Sequence, residues 1–146
     1  MQISATIITF NEELNIKAAC ESVAWADEIV VVDSNSTDKT CEIAEACGAR
    51  VIVNEWPGFG AQKQFAVNRA SHDWIFSLDA DERVSDELRK SIETLKQHRR
   101  GEDADGYVVA RRTYYQGHWI RGGGWYPDYQ LRLFNRTKGH WKLRHV

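Results

Sequence analysis

Four short apolar runs, each closed by polar residues and separated from the next by a helix-length stretch, constrain this chain more than any other feature. The runs are Ile3–Thr9, Ile29–Val32, Val51–Val53 and Trp74–Leu78. Ile29-Val30-Val31-Val32 shows no polar alternation, as expected of a strand covered on both faces of a parallel sheet. From about Asn15, the residues Ile16, Ala19, Cys20 and Val23 recur at i, i+3, i+4 and i+7 and mark the buried face of a helix. Ser36 or Thr37 is expected to cap a second helix that starts beside Asp38, and Gly48 to close it in a left-handed conformation. Gly60 to Ala70 reads as a third helix. A fourth is capped by Ser85, with Glu87 in its first turn and Leu88, Ile92 and Leu95 on its core stripe. The order β-α-β-α-β-α-β-α predicts a mostly parallel sheet with helices on both faces. Beyond the charge-rich stretch at 99–105, short strands follow without helices (Tyr107–Arg112 and Gln130–Asn135), so the α/β domain is expected to end in a short antiparallel part.

A length of 146 residues fits one domain and one core. No run approaches the roughly 18 apolar residues of a membrane helix. The start, MQISATIITF, lacks the basic region and cleavage site of a secretory signal. Three cysteines without short paired spacing argue against a disulfide scaffold or zinc site and fit a reducing, cytoplasmic setting. The net charge of −2 hides a division: residues 107–146 carry +7 and the first 106 carry −9. Nine of the sixteen aromatics also fall in 107–146, so this segment reads either as a solvated sheet with an apolar underside or as a surface for an anionic partner. No RNA- or DNA-binding module is present and the acidic first part repels polyanions, so no nucleic-acid partner is expected.

In an open α/β sheet ligands collect at the carboxyl ends of the strands. Here those ends read Thr9-Phe10-Asn11-Glu12, Asp33-Ser34-Asn35-Ser36 and Asp79-Ala80-Asp81-Glu82. Neither a G-x-G-x-x-G after the first strand nor a G-x-x-x-x-G-K-[ST] occurs, which excludes the usual glycine-rich phosphate cradles. In an extended chain Asp79 and Asp81 project to the same side. Two such carboxylates suit a hard divalent cation, Mg²⁺ or Mn²⁺, able to bridge a diphosphate. Acidic pairs are also common on exposed turns. The position after an apolar strand, level with the other polar strand ends, favours the metal.

TFNEE, VVVDSNSTDKT, GFGAQKQFAVNRA and SLDADERV, in this order, resemble glycosyltransferase family 2, the inverting nucleotide-sugar transferases with the Rossmann-like GT-A fold. The tail HWIRGGGWYPDYQLRLF is similar to the bacterial subfamily that adds a sugar, typically glucose, to the lipopolysaccharide inner core. The resemblance implies a UDP-sugar donor, with Thr9, Phe10, Asn11 and Glu12 around uracil and ribose. It further implies Asp33 as acceptor for the uracil N–H, Lys63 as the basic residue reaching the nucleotide, Asp79 near ribose and metal, and Asp81 as metal ligand. An Asx-turn is the plain alternative for Asp33, and a solvated helix face for Lys63. Gln130 and Arg132 resemble the family's Q-x-R, near the donor diphosphate or an acceptor phosphate. Trp125 and Tyr126 either stack on sugar faces or cover a small sheet.

Inverting transfer needs a general base for the acceptor hydroxyl. In the resembled subfamily this acid follows a His in a V-H-E motif, whereas this sequence ends Arg144-His145-Val146. The chain is therefore expected to be a GT-A domain truncated at its C-terminus, with a nucleotide-sugar part at 1–100 and a partial acceptor part at 106–146. Asp128, the one acid after residue 105, is the in-chain candidate base. The basic, aromatic tail fits a lipid-linked oligosaccharide acceptor at the anionic inner face of the cell membrane. The alternative is a non-catalytic nucleotide-sugar binding module. A nucleotidyltransferase would show a glycine- and basic-rich phosphate loop after the first strand, and a response-regulator-like domain would lack the aromatic tail.

Overall fold

The computed structural model describes residues 1–98, 104–115, 118–120, 128–138 and 143–145. β1 (Ile3–Thr9), α1 (Ile16–Ser22), β2 (Glu28–Asp33), α2 (Thr40–Ala46), β3 (Arg50–Val53), α3 (Phe59–Arg69), β4 (Trp74–Asp79) and α4 (Asp86–His98) alternate as the apolar runs predict. They are followed by β5 (Gly106–Arg111), β6 (Thr113–Tyr115), β7 (His118–Ile120), β8 (Asp128–Asn135) and β9 (Leu143–His145). Seven strands form one sheet in the order β3-β2-β1-β4-β8-β5-β9. β1 to β4 are mutually parallel, and β8 lies antiparallel between β4 and β5. The antiparallel C-terminal part is thus present. However, β9 joins β5 in parallel, and β6 with β7 forms a separate antiparallel pair. These last three strands have three residues each, too few for a period of two to show.

Strand alternation divides the core between the two faces. Ile3, Ala5, Ile7, Val31, Trp74, Phe76 and Leu78 pack on one side with Ile16, Ala19 and Cys20 of α1, Ala44 of α2 and Ile92 of α4. Val30 and Val32 face the other side, where α3 supplies Ala66. Val67 of α3 packs there against Ile75. Three helices therefore cover one face and α3 the other, which explains why Ile29–Val32 is apolar throughout.

The ends of α2 and α4 follow local chemistry. Ser85 caps α4, its Oγ accepting the Leu88 N–H at 3.2 Å. Gly48 closes α2 at φ +88° with nothing within 4 Å of where a Cβ would sit, so the requirement is conformational. At the start of α2 the expectation is corrected. The helix begins at Thr40, and neither Ser36 nor Thr37 caps it. Asp38 accepts the Thr40 N–H at 3.0 Å instead. The Ser36 hydroxyl is drawn away to Asp33, a stronger acceptor because it is charged.

Glu28 fastens the opposite edge of the sheet. It accepts from the Ser4 hydroxyl at 2.6 Å, from the Ser71 N–H and hydroxyl at 2.8 Å each, and from Arg50 at 3.0 Å. Burial alone would raise its pKa, but these hydrogen bonds outweigh it and lower the value from 4.5 to about 2. The folded state thus binds this proton less tightly than the open chain. Ionised Glu28 stabilises the fold above about pH 4.5, and that stabilisation is lost as the pH falls through 2. Glu28→Gln is expected to lower stability at pH 7 by about 1–3 kcal/mol and to flatten the acid limb below pH 4.5, measured by urea unfolding across pH. An unchanged acid limb would show that Glu28 carries none of it.

Candidate functional site

The parallel ladder sets the polar strand ends side by side. Thr9 of β1 pairs with Asp33 of β2, Ile8 with Asp79 of β4, and Asp33 with Val53 of β3. Beyond them the β1 and β2 loops are stitched together. Asn11 adopts a left-handed conformation at φ +48°, donates its N–H to Ser36 Oγ at 2.8 Å, and accepts the Thr37 N–H on Oδ1 at 2.8 Å. The Glu12 N–H reaches Thr40 Oγ1 at 2.9 Å, and the Glu12 carboxylate accepts from Asn15 Nδ2 at 2.8 Å. The Ser34 N–H returns to Thr9 O at 3.0 Å.

A cavity of about 580 Å³ opens at this edge, lined by Thr9, Phe10, Glu12, Ser34, Trp56, Phe59, Asp79 and Asp81 among others. The Thr9 hydroxyl is buried and has no hydrogen-bond partner, whereas buried polar groups are ordinarily paired. Phe10, Trp56 and Phe59 are 56%, 46% and 73% exposed. Trp56 and Phe59 meet edge to face, with ring centroids 4.8 Å apart. The cavity thus combines flat apolar walls with acidic residues.

Asp79 ends β4, and its Oδ1 lies 3.3 Å from Lys63 Nζ on α3. Asp81 stands in the turn that follows, so strand alternation is not what brings the two acids together. The chain bends there, with the Glu82 N–H bonded to Asp79 O at 2.9 Å and the Asp79 N–H to Glu82 Oε1 at 2.8 Å. Both carboxylates nonetheless line the cavity. No group of three or more His, Cys, Asp or Glu gathers among the described residues. Two hard oxygen donors with remaining positions open to water and phosphate suit Mg²⁺ or Mn²⁺.

Asp33 is buried and does not line the cavity. Its oxygens accept the Ser36 N–H at 2.8 Å and the Ser36 hydroxyl at 2.5 Å, which is the geometry of the local turn. Burial and then a hydrogen bond to Asp33 push the Cys41 thiol up to about 11. Arg132 is also buried. It donates to Glu82 at 2.8 Å and to Ser77 O at 3.2 Å, so its guanidinium is engaged by protein groups. Burial raises the Glu82 pKa, against the Asp79 N–H and Arg132, which lower it. Asp128, at the start of β8, accepts from Gln130 at 2.9 Å and pairs with Arg111 at 2.5 Å. The Gln130 bond and the Arg111 pair hold its carboxyl below the usual range, which weakens it as a base. Trp125 and Tyr126 lie outside the described residues.

Trp56, Phe59 and Gln62 escaped the reading of the sequence. Gln62 is fully buried and donates to Ser34 Oγ at 3.1 Å and Asn54 O at 3.2 Å, joining α3 to the ends of β2 and β3. The available signal was the pair of aromatics around Pro57-Gly58, just beyond a strand end.

The model of Glycosyl transferase family 2 matches residues 4–145, nearly the whole chain. The chain belongs to this family. It is 35% identical over 153 aligned positions to the lipopolysaccharide core biosynthesis glycosyltransferase LpsC of Rhizobium meliloti, covering 98% of this chain and 54% of that protein. An uncharacterized glycosyltransferase of Rickettsia bellii is 53% identical over 95 residues, 64% of this chain and 32% of the relative. The chain therefore spans about a third to a half of the length of these relatives. Among solved structures, glucosyl-3-phosphoglycerate synthase from Mycobacterium tuberculosis in complex with UDP superposes with a TM-score of 0.63 at 26% identity, over 77% of this chain and 45% of that one. The family's GT-A fold accounts for the parallel half of the sheet and the antiparallel strands appended to it.

Asn11 is where the stitching of the two loops is most exposed to mutation. Asn11→Ala is expected to cost about 1–2 kcal/mol, from the lost Thr37 bond and from a Cβ-bearing residue without a polar side chain held at positive φ. Asn11→Gly should cost about 1 kcal/mol less, since only the bond is lost. Equal losses in urea unfolding would show that the backbone conformation contributes nothing.

Proposed function

We propose that this domain is the nucleotide-sugar part of a metal-dependent, inverting glycosyltransferase that uses a UDP-sugar. The observation that carries this reading is the cavity at the strand ends, where Thr9, exposed aromatic walls and the Asp79/Asp81 pair converge. Phe10 supplies an apolar wall for the base, while Thr9 and Glu12 offer hydrogen-bonding groups to nucleoside hydroxyls. Lys63 is placed to neutralise phosphate charge once it leaves Asp79. Asp79 and Asp81 would hold a divalent cation, Mn²⁺ or Mg²⁺. When bound, such a cation stabilises the negative charge of the departing diphosphate. Asp33 acts on the base through the turn it anchors.

The same reading takes glucose as the transferred sugar and the lipopolysaccharide inner core, or a similar lipid-linked oligosaccharide, as acceptor. Likeness to the Rhizobium relative supports it. Gln130, Trp125 and Tyr126 are the acceptor-side candidates of this reading. The domain division at about residue 100 belongs to this proposal. A second reading, a nucleotide-sugar binding module without turnover, is favoured by one observation: Asp128 is locked to Arg111. Sugar transfer separates the two.

Among the described residues no helix is long and apolar enough to cross a membrane. Contact with the cytoplasmic membrane face is proposed to run through exposed basic side chains such as Arg112, Lys138 and Arg144. Binding to vesicles containing anionic lipid should then weaken steeply as salt rises. Salt-independent binding, or none, would rule this contact out.

UDP at about 100 times its dissociation constant should stabilise the protein by about 2.7 kcal/mol, raising the thermal midpoint by several degrees. The shift should require Mn²⁺, vanish in EDTA, and be absent from Asp81→Ala. A UDP shift that is the same in EDTA, or that survives in Asp81→Ala, would remove the metal from the reading. No shift under any condition would remove UDP.

A further inference from the structure

We propose that Glu82 is the positioning residue of the acidic turn, tying the backbone at Asp79 to Arg132 on β8 and so fixing where the Asp79 and Asp81 carboxylates point. The inference rests on the reading of those two carboxylates as the cation-holding pair. The turn is closed reciprocally: Asp79 donates its N–H to Glu82 Oε1 at 2.8 Å, and Glu82 donates its own N–H to Asp79 O at 2.9 Å. The second carboxylate oxygen of Glu82 takes Arg132 Nη2 at 2.8 Å, from a strand fifty residues away in sequence. Arg132 Nη1 in turn holds Ser77 O at 3.2 Å.

This connection stands where the ladder stops. The pairing of β4 with β8 ends at Phe76 opposite Leu133. Beyond it the backbone from Ser77 onward is held to β8 by the Arg132 guanidinium rather than by strand-to-strand bonds. The two side chains are 9% and 18% exposed, so little water competes for the pair. Glu82 does not line the cavity, and both its oxygens are occupied by donors. It therefore acts on a ligand through Asp79 rather than by touching it. Asp79 is the last residue of β4 and Asp81 stands in the turn that Glu82 closes, so a shift of that turn moves one donor against the other. A hard cation tolerates such displacement poorly. The consequence is that the C-terminal antiparallel strand, not the parallel half alone, sets the geometry of the acidic pair.

The test measures UDP affinity of the full chain by calorimetry, with Mn²⁺ and with EDTA, for the wild type, Glu82→Gln, Arg132→Lys and the double variant. Glu28→Gln serves as a control that weakens the fold away from the site. In the wild type Mn²⁺ should tighten UDP binding. Glu82→Gln should lose about 10- to 100-fold of that increment, the range typical of groups that orient metal ligands, with metal-free affinity within about twofold of the wild type. Arg132→Lys keeps the charge without the planar fork and should show the same selective loss. The double variant should be no worse than the more affected single variant, because both act through one connection. Glu28→Gln should melt lower yet keep the whole increment. An intact Mn²⁺ increment in either folded variant overturns the proposal, as do additive losses or equal losses with and without metal. If the wild type itself shows no Mn²⁺ increment, the cation-holding role of Asp79 and Asp81 falls and the proposal falls with it, a result distinct from any seen in the variants alone.

Discussion

Within β1, Thr9 stands opposite Asp33 on one side and Ile8 opposite Asp79 on the other. This double registration of one central parallel strand determines where every group of the site lies. Parallel strands leave the sheet at a common edge, so the loops after β1, β2, β3 and β4 emerge together. Register is in turn fixed by burial on both faces: a slip of one residue would turn Ile3, Ala5 and Ile7 away from their core and present Ser4 and Thr6 to it. The apolar runs thus select the site indirectly. They carry no chemistry, but they admit only one alignment of the residues that do.

The basic C-terminal segment illustrates how a charge count differs from a charged surface. Arg132 is spent on Glu82 and Ser77 O, and Arg111 on Asp128. Arg136 donates to Val67 O at 2.7 Å and Ala70 O at 2.9 Å and pairs with Asp73. It thereby donates to carbonyls at the end of α3, where a cation is also favoured by the helix dipole. Two of the eight basic groups in 107–146, Arg132 and Arg136, therefore join the appended strands to the parallel half, while Arg111 joins β5 to β8. Their electrostatic contribution is internal, and what remains for an anionic partner is a smaller set than the sum of +7 suggests.

The parallel half was legible in the sequence because its elements obey strong periodic rules. The runs at Ile3–Thr9 and Trp74–Leu78, the stripe of Leu88, Ile92 and Leu95, and the left-handed Gly48 all reappear in the structure. The start of α2 was not legible, because Ser36 had two possible partners and only the tertiary arrangement shows that Asp33 takes it. The strands β6, β7 and β9 were too short to leave a pattern. At the site, Thr9, Phe10, Glu12, Asp79 and Asp81 do meet in one cavity. Trp56, Phe59 and Gln62 were missed because nothing local distinguishes an aromatic that walls a cavity from one that fills a core. Arg132 was identified as important, but its partner Glu82 was read only among the polar residues at the end of the fourth strand. A bond across fifty residues has no signature in either segment alone.

The remaining departures from good folding chemistry gather at one edge. Thr9 buries a hydroxyl without a partner, Phe10, Trp56 and Phe59 expose large rings, and Asn11 holds a positive φ. Elsewhere the chain satisfies its polar groups closely, as Glu28 does with four donors and Gln62 with both ends of its amide. A chain able to satisfy Gln62 inside its core could equally have satisfied Thr9 a few residues away. That contrast points to selection for a ligand rather than to careless packing, because sequences depart from local consistency mainly where function requires it.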